Sequence, residues 1–324
     1  MREVGITRTV PVGGLLFWLR QGLLSALPLL AFVATRVFAE HIVVGCIGDY
    51  GSGSEYEGHV ARLVASWRPN LIITVGDNNY PDGEAKTIDA NIGQFYSSFI
   101  HPYRGRYGAG AVENRFFPSL GNHDYHTKGA KPYFDYFELP GNERFYAFTN
   151  GPVQFFCLNS DPEEPDGVTS RSRQAVWLKD ALDVSTAPWR IVYFHHAPFS
   201  SGAVHGSHTE ESDKMRWPFR EWGASVVLTG HDHIYERLRV NGLTYFVNGL
   251  CGMSWDKFHW PPHPAGVKRF TGDFGAMRLD ATETNMTFRF ITWRNEVADL
   301  HVICKPSAAP TFERARVSFE VAAE

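Results

Sequence analysis

The chain has 324 residues, 44% of them apolar and 20% charged, with 31 lysines and arginines against 35 aspartates and glutamates. That is enough apolar material for one large buried core, and the mixed charge excludes the basic stripe of a nucleic-acid-binding surface. The four cysteines, Cys46, Cys157, Cys251 and Cys304, are widely spaced with no CxxC pair, so no disulfide pairing can be read from them.

Residues 1–39 differ from the rest. Arg2 and Arg8 precede two apolar stretches, Gly13 to Leu19 and Gly22 to Ala34, which Arg20 separates, and Val37-Phe38-Ala39 offers a small-residue exit. This is the pattern of a secretory signal, and the second stretch falls short of the roughly 20 residues a membrane span needs. The segment 1–39 is therefore read as a signal peptide or N-terminal anchor, with an ordinary N-terminal helix as the plainer alternative. A signal implies a secreted or periplasmic protein. Membrane association follows only if the segment stays uncleaved.

Residues 40–304 carry one domain. Ile42 to Ile47 predicts a strand ending in Gly48-Asp49. Glu55 to Trp67 has helical spacing, with Val60, Leu63, Val64 and Trp67 on one face. Pro69 closes it, and Leu71 to Val75 is the next strand, ending in Gly76-Asp77. This β-α-β unit implies parallel strands and a right-handed crossover. Thr87 to Ile100 reads as helix, and Arg115 to Leu120 leads into Gly121-Asn122-His123-Asp124. Phe145 to Phe148 and Val153 to Leu158 flank Asn150-Gly151-Pro152 as a hairpin. Asp161 to Gly167 is an acidic, proline-containing loop. Ser172 to Leu182 reads as helix, Ile191 to Phe194 as a strand ending in His195-His196, and Lys214 to Trp222 as a weaker helix. Val226 to Leu228 runs into Gly230-His231-Asp232-His233, and Thr244 to Val247 and Met286 to Trp293 are further strands. The tail 305–324 has no clear pattern.

Five polar clusters thus follow five apolar strands: Asp49, Asp77, Asn122, His195 and His231. In open α/β sheets, sites form outside the carboxyl ends of strands, so residues nearly 200 positions apart can converge. An aspartate after a strand more often caps a helix, and a lone histidine is more often structural; it is the set that points to metal. Asp, Asn, Tyr and His are ligands suited to iron, zinc or manganese rather than calcium. A carboxylate such as Asp77 can bridge two ions. His231 and His233 have the spacing of two residues facing one way.

Gly48-Asp49-Tyr50-Gly51, Gly76-Asp77-Asn78-Asn79-Tyr80, Gly121-Asn122-His123-Asp124, Val192-Tyr193-Phe194-His195 and Gly230-His231-Asp232-His233 resemble the five ligand blocks of purple acid phosphatases, within the calcineurin-like metallophosphoesterases. All five stand in family order. The resemblance implies a four-layer α/β/β/α sandwich of two mixed β-sheets flanked by helices. It implies Fe3+ held by Asp49, Asp77, Tyr80 and His233, and a second ion, Fe2+, Zn2+ or Mn2+, held by Asp77, Asn122, His195 and His231. It implies hydrolysis of phosphomonoesters by a metal-bound hydroxide, with a small phosphate ester as substrate. His123 would serve the leaving group, with Asp124 orienting it, and His205 would contact substrate, with His208 as its competitor. Loss of residues 1–39 would leave 27 basic against 34 acidic residues, so the positive charge a phosphate ester needs would come from the ions.

Three other features have plainer readings. His196 is expected on the opposite side of its strand from His195, and His41, His59, His101, His126, His259, His263 and His301 are left as surface or core residues. Gly51-Ser52-Gly53-Ser54 is a turn before a helix rather than a phosphate nest. The run Tyr133, Phe134, Tyr136, Phe137 is packing. Two rival functions share the residues: a phosphodiesterase or nucleotidase on the same ions, and a non-catalytic phosphate-binding or sensing protein.

Overall fold

A computed structural model describes residues 40–305; the proposed signal or anchor segment 1–39 and the tail beyond Lys305 lie outside the described residues. Two mixed sheets face each other. The first contains β1 (Ile42–Ile47), β2 (Leu71–Thr74), β3 (Phe116–Pro118) and, from the far end of the domain, β11 (Gly275–Ala281), β12 (Asn285–Thr292) and β13 (Val297–Cys304), in the order β13-β12-β11-β1-β2-β3. The second contains β4 (Tyr146–Asn150), β5 (Val153–Cys157), β6 (Trp189–Tyr193), β7 (Val226–Thr229), β8 (Tyr235–Val240), β9 (Leu243–Asn248) and β10 (Gly266–Phe270), in the order β10-β8-β9-β7-β6-β5-β4. This is the expected pair of mixed sheets flanked by helices.

The strands that matter for function are parallel within each sheet: β1 with β2 and β2 with β3 in the first, β5 with β6 and β6 with β7 in the second. Their runs are apolar on both faces because both faces are covered. Between the sheets lie Val44, Cys46, Ile73, Phe116, Phe155, Tyr193, Phe246 and Phe288, all 1% exposed or less. A second cluster, including Phe156, Leu178, Val192, Phe194 and Phe219, packs the other face of the second sheet under the helix Arg173–Asp183. The helix Glu55–Ser66 contacts β11 and so covers the first sheet.

Local chemistry sets the ends of these elements. Ser54 caps its helix by accepting the Glu57 N–H, and Ser172 accepts that of Ala175, the usual way to satisfy a first-turn donor. The Gly51–Ser54 turn is closed from within: the buried Glu57 carboxylate accepts N–H groups from Ser52 and Gly53, leaving no nest for an external anion. The aromatic run is packing. Tyr133 donates to the Pro118 carbonyl, and the Phe137 ring stacks on Phe116.

One predicted helix is found with a local widening, and one differs. The segment expected as helix over Thr87 to Ile100 is helical from Ala85 to Phe99, widened by a π turn at Asp89–Gly93 and tightened to a 3-10 turn at Ser97–Phe99. The π turn sits where the Asp89 carboxylate accepts from Tyr103 Oη, Tyr136 Oη and the Arg106 N–H, contacts that no hydrophobic period records. The helix expected over Lys214 to Trp222 is a single turn, Glu210–Lys214. Pro218 cannot continue a helix, and the Trp217 indole takes the Lys214 carbonyl.

Candidate metal centre

Five strands deliver the site. The chain leaves β1 into Asp49, β2 into Asp77, β3 into Asn122, β6 into His195 and β7 into His231, with His233 two residues on. The turns are sharp. Asp49, Asp77 and His231 have φ of 53°, 52° and 72°, a region that costs side-chain-bearing residues on the order of 1 kcal/mol and concentrates at functional sites. The glycines before them make room. A Cβ on Gly76, itself at φ 91°, would stand 2.5 Å from His195 Nδ1, and one on Gly230 would stand 2.5 Å from Asp49 Oδ2.

The seven predicted donors meet as two adjoining groups. In one, Tyr80 Oη lies 2.9 Å from Asp77 Oδ2, 3.2 Å from His233 Nε2 and 3.5 Å from Asp49 Oδ1. In the other, His195 Nε2 lies 3.0 Å from Asn122 Oδ1, 3.1 Å from His231 Nδ1 and 3.3 Å from Asp77 Oδ2. Asp77 Oδ2 belongs to both, as a bridging carboxylate requires.

The donor chemistry fits cations. His195 Nδ1 donates to the Val75 carbonyl at 2.8 Å, so Nε2 turns its lone pair toward an amide oxygen, a carboxylate oxygen and a second imidazole nitrogen. Groups that all offer electron pairs repel unless a positive charge lies among them. The titration behaviour agrees. Burial opposes charge on His195, but the Asp77 carboxylate outweighs it and pushes the imidazole up to about 10, so without an ion a proton takes the cation's place. Burial and the neighbouring histidines hold His231 far below its usual range, neutral and able to donate its lone pair. Burial and the Asp77 and Asp49 charges raise the Tyr80 phenol, so a phenolate there requires a cation beside it.

Outer hydrogen bonds orient the donors, as they do around metal ligands generally. Asp49 accepts the His231 N–H at 3.1 Å, Asp77 Oδ1 accepts the His123 N–H at 2.9 Å, and His233 Nδ1 bonds Ser254 Oγ. Asn78 ties β2 to the 121–124 turn by donating to the Ser119 carbonyl and to Asp124 Oδ2, while its Oδ1 accepts from Tyr50 and Thr74.

Beside the centre lies an open cavity of about 420 Å³ whose wall includes Asn122, His196, His205 and His231. His123 stands over the Tyr80 ring, its Nε2 4.0 Å from Asp77 Oδ2 and its Nδ1 bonded to the Pro81 carbonyl. Asp124 does not orient it. That carboxylate is buried under the turn, accepting N–H groups from Gly121 and Asn78, and the Pro81 carbonyl does the orienting instead. The His205 ring lies 3.8 Å from that of His231 and borders the cavity, which His208 does not.

Three residues were missed. His196 lines the cavity beside the donor cluster instead of facing away, its ring 4.5 Å from His231 and its Nδ1 on Ser160 Oγ. Strand β6 ends at Tyr193 and the backbone bends through His195 and His196, so alternation no longer applies. His126, read as structural, also borders the cavity and bonds the Pro81 carbonyl. Asp232 turns away from its histidine neighbours and accepts the N–H groups of His205 and Gly206, holding the loop that brings His205 in. The alternation used for His231 and His233 already implied that Asp232 points elsewhere.

A family model for calcineurin-like phosphoesterases matches residues 41–235, more than half of the chain and a span that includes all seven donors. The chain belongs to the calcineurin-like phosphoesterases, and its class is that of metal-dependent phosphoester hydrolases. Within that class it is similar to purple acid phosphatase 7 of Arabidopsis thaliana, 26% identical over 289 residues that cover 81% of this chain and 86% of that one. It is likewise similar to the human (Homo sapiens) tartrate-resistant acid phosphatase type 5, 25% identical over 305 residues that cover 82% and 88%. In fold it resembles the purple acid phosphatase PPD1 from yellow lupin seeds, with a TM-score of 0.64 at 16% identity, over 82% of this chain and 54% of that one.

Proposed function

We propose that the chain is a dinuclear-metal acid phosphatase that hydrolyses phosphomonoesters outside the cytoplasm, with Fe3+ on Asp49, Asp77, Tyr80 and His233 and Fe2+, Zn2+ or Mn2+ on Asp77, Asn122, His195 and His231. The observation that carries this reading is the single carboxylate oxygen, Asp77 Oδ2, standing 2.9 Å from Tyr80 Oη and 3.3 Å from His195 Nε2. When bound, the ions would supply positive charge to the phosphoryl oxygens and lower the pKa of water.

The chain's own residues supply the rest. Its paired second-row contacts hold the donors before substrate arrives, so little reorganisation accompanies the reaction. His123, fixed through Nδ1 by the Pro81 carbonyl, presents Nε2 beside Asp77, where a proton can pass to a leaving alkoxide. His205, held by Asp232, and His196, held by Ser160, border the cavity beside the second donor group and are placed to contact the ester.

The test is metal analysis with a visible spectrum on protein purified without added metal, followed by turnover of p-nitrophenyl phosphate and bis(p-nitrophenyl) phosphate at acid pH. Two metals per chain, a phenolate-to-iron band that Tyr80→Phe removes, and faster turnover of the monoester support the proposal. A colourless protein with full iron occupancy defeats the Tyr80 assignment, and faster turnover of the diester defeats the monoester assignment.

A further inference from the structure

The loop Asp161–Gly167 carries four carboxylates, and the structure divides them. Glu164 and Asp166 are paired with arginines: Arg144 Nε lies 3.1 Å from Glu164 Oε1 and its Nη2 2.6 Å from Asp166 Oδ2, and Arg173 Nη1 stands 3.7 Å from Asp166 Oδ1. Asn159 adds a hydrogen bond to Glu164 at 2.8 Å. These contacts clamp the far half of the loop to the body of the protein. Asp161 and Glu163, on the near half, have no lysine, arginine or histidine partner among the described residues, and both line the cavity beside the donor cluster. Glu211, from the turn Glu210–Lys214, lines the same cavity, and it too is unpaired, since Lys214 engages Glu210 and Arg216 engages Asp213. No lysine or arginine lines this cavity.

Asp161 sharpens the point. It is 4% exposed, and its hydrogen bonds within the protein are local: its Oδ1 accepts the Glu163 N–H, its carbonyl accepts the Glu164 N–H, and its own N–H goes to Asn159. A carboxylate so buried ordinarily has a cation beside it, because an unpaired charge out of water is costly. Asp161 lines the substrate cavity, and Tyr125, an aromatic residue of the type that can attract ammonium groups, lines it too.

We infer that this cavity selects phosphomonoesters whose alcohol portion carries a positive charge, an aminoalkyl or quaternary ammonium phosphate, with Asp161, Glu163 and Glu211 facing the cation while the phosphate occupies the metal centre. The inference rests on the phosphatase reading above. The same three charges repel esters with anionic alcohol portions, such as nucleotides or phosphorylated carboxylic acids, so selectivity arises from attraction and repulsion together.

The experiment compares phosphocholine, its uncharged carbon isostere 3,3-dimethylbutyl phosphate, and phosphoglycolate on the metal-loaded protein at pH 7.5, above the value of about 6 to which burial raises the Asp161 carboxyl, so that all three carboxylates are ionised. kcat/KM is expected to fall in that order, by about tenfold per step, which is about 1.4 kcal/mol of transition-state discrimination. In Glu163→Gln/Glu211→Gln the ratio of the first to the second is expected to fall to within about threefold of unity. Asp161→Asn, which keeps the Oδ1 acceptor of the turn, is expected to lower it likewise. Each ratio is taken on one preparation, so a change in folded fraction cancels. A wild-type ratio at or below one overturns the inference, and a ratio that survives all three substitutions overturns its assignment to these carboxylates. Calorimetric binding of the same esters reads the same order without turnover. Preferential binding of phosphocholine with no hydrolysis would defeat the phosphatase reading and leave this one standing; equal binding and hydrolysis of all three would do the reverse.

Discussion

The floor and the rim of the cavity are built by opposite rules. On the floor every donor is buried or nearly so and held from behind: His195 by the Val75 carbonyl, His233 by Ser254, Asp77 by the His123 N–H. It is delivered by strand ends from both sheets, and three of its residues accept unfavourable backbone angles to be there. The rim comes from the loops 161–167 and 205–211, where Asp161, Glu163, His205 and Glu211 line the cavity without an ionic partner among the described residues. The difference separates tasks. Rigid strand ends fix the chemistry, which tolerates little displacement, whereas loops choose what is brought to it and can vary at small cost to the scaffold.

The sharpest way to break the floor is Asp77→Ala, which removes the oxygen common to both donor groups. Turnover is expected to fall on the order of 10⁴-fold, about 5.5 kcal/mol of barrier, and metal analysis should find the loss of both ions rather than one. His123→Ala is next. Loss of a general acid costs about 10²–10⁴-fold, and the loss should be larger for alkyl esters than for p-nitrophenyl phosphate, whose leaving group needs no proton; equal losses on both would exclude the role. Ser254→Ala leaves the first row intact and frees the His233 ring. Metal affinity, read by competition with a chelator, is expected to drop about 10–100-fold.

The smallest effect belongs to the rim. Burial raises the Asp161 carboxyl to about 6 from an ordinary 3.8. The folded state then holds this proton more readily than the unfolded chain. Stability contributed by the protonated form is complete below pH 3.8 and is lost as pH rises to about 6. Asp161→Asn is therefore expected to stabilise the protein at pH 7.5 by on the order of 1–2 kcal/mol, allowing for its partial contact with water, and not at pH 3. Melting curves at the two pH values decide it. A destabilised variant at pH 7.5 would mean that Asp161 has a hidden cationic partner, which would also remove its reason to face the cavity.

What the amino-acid sequence determined by itself was the chemistry of the floor and the order in which strands present it. Asp49, Asp77, Tyr80, Asn122, His195, His231 and His233 follow apolar strands with a block order that random placement does not produce, and parallel strands send their carboxyl ends to one edge. The β-α-β opening was legible in the same runs, whereas the pairing of two sheets came from the family resemblance and not from the apolar pattern. The tertiary structure alone decided everything that depends on contacts between distant segments. It set the bend that turns His196 into the cavity and placed His126 there, made Pro81 rather than Asp124 the group that orients His123, and gave Asp232 its hold on the His205 loop. It also divided the acidic loop, because Arg144 from upstream and Arg173 from the following helix reach Glu164 and Asp166 and not Asp161 or Glu163. Strand periodicity is a local property carried by neighbouring residues. The pairing of a charge is not, and it is fixed only when the chain has folded and the available cations have been used.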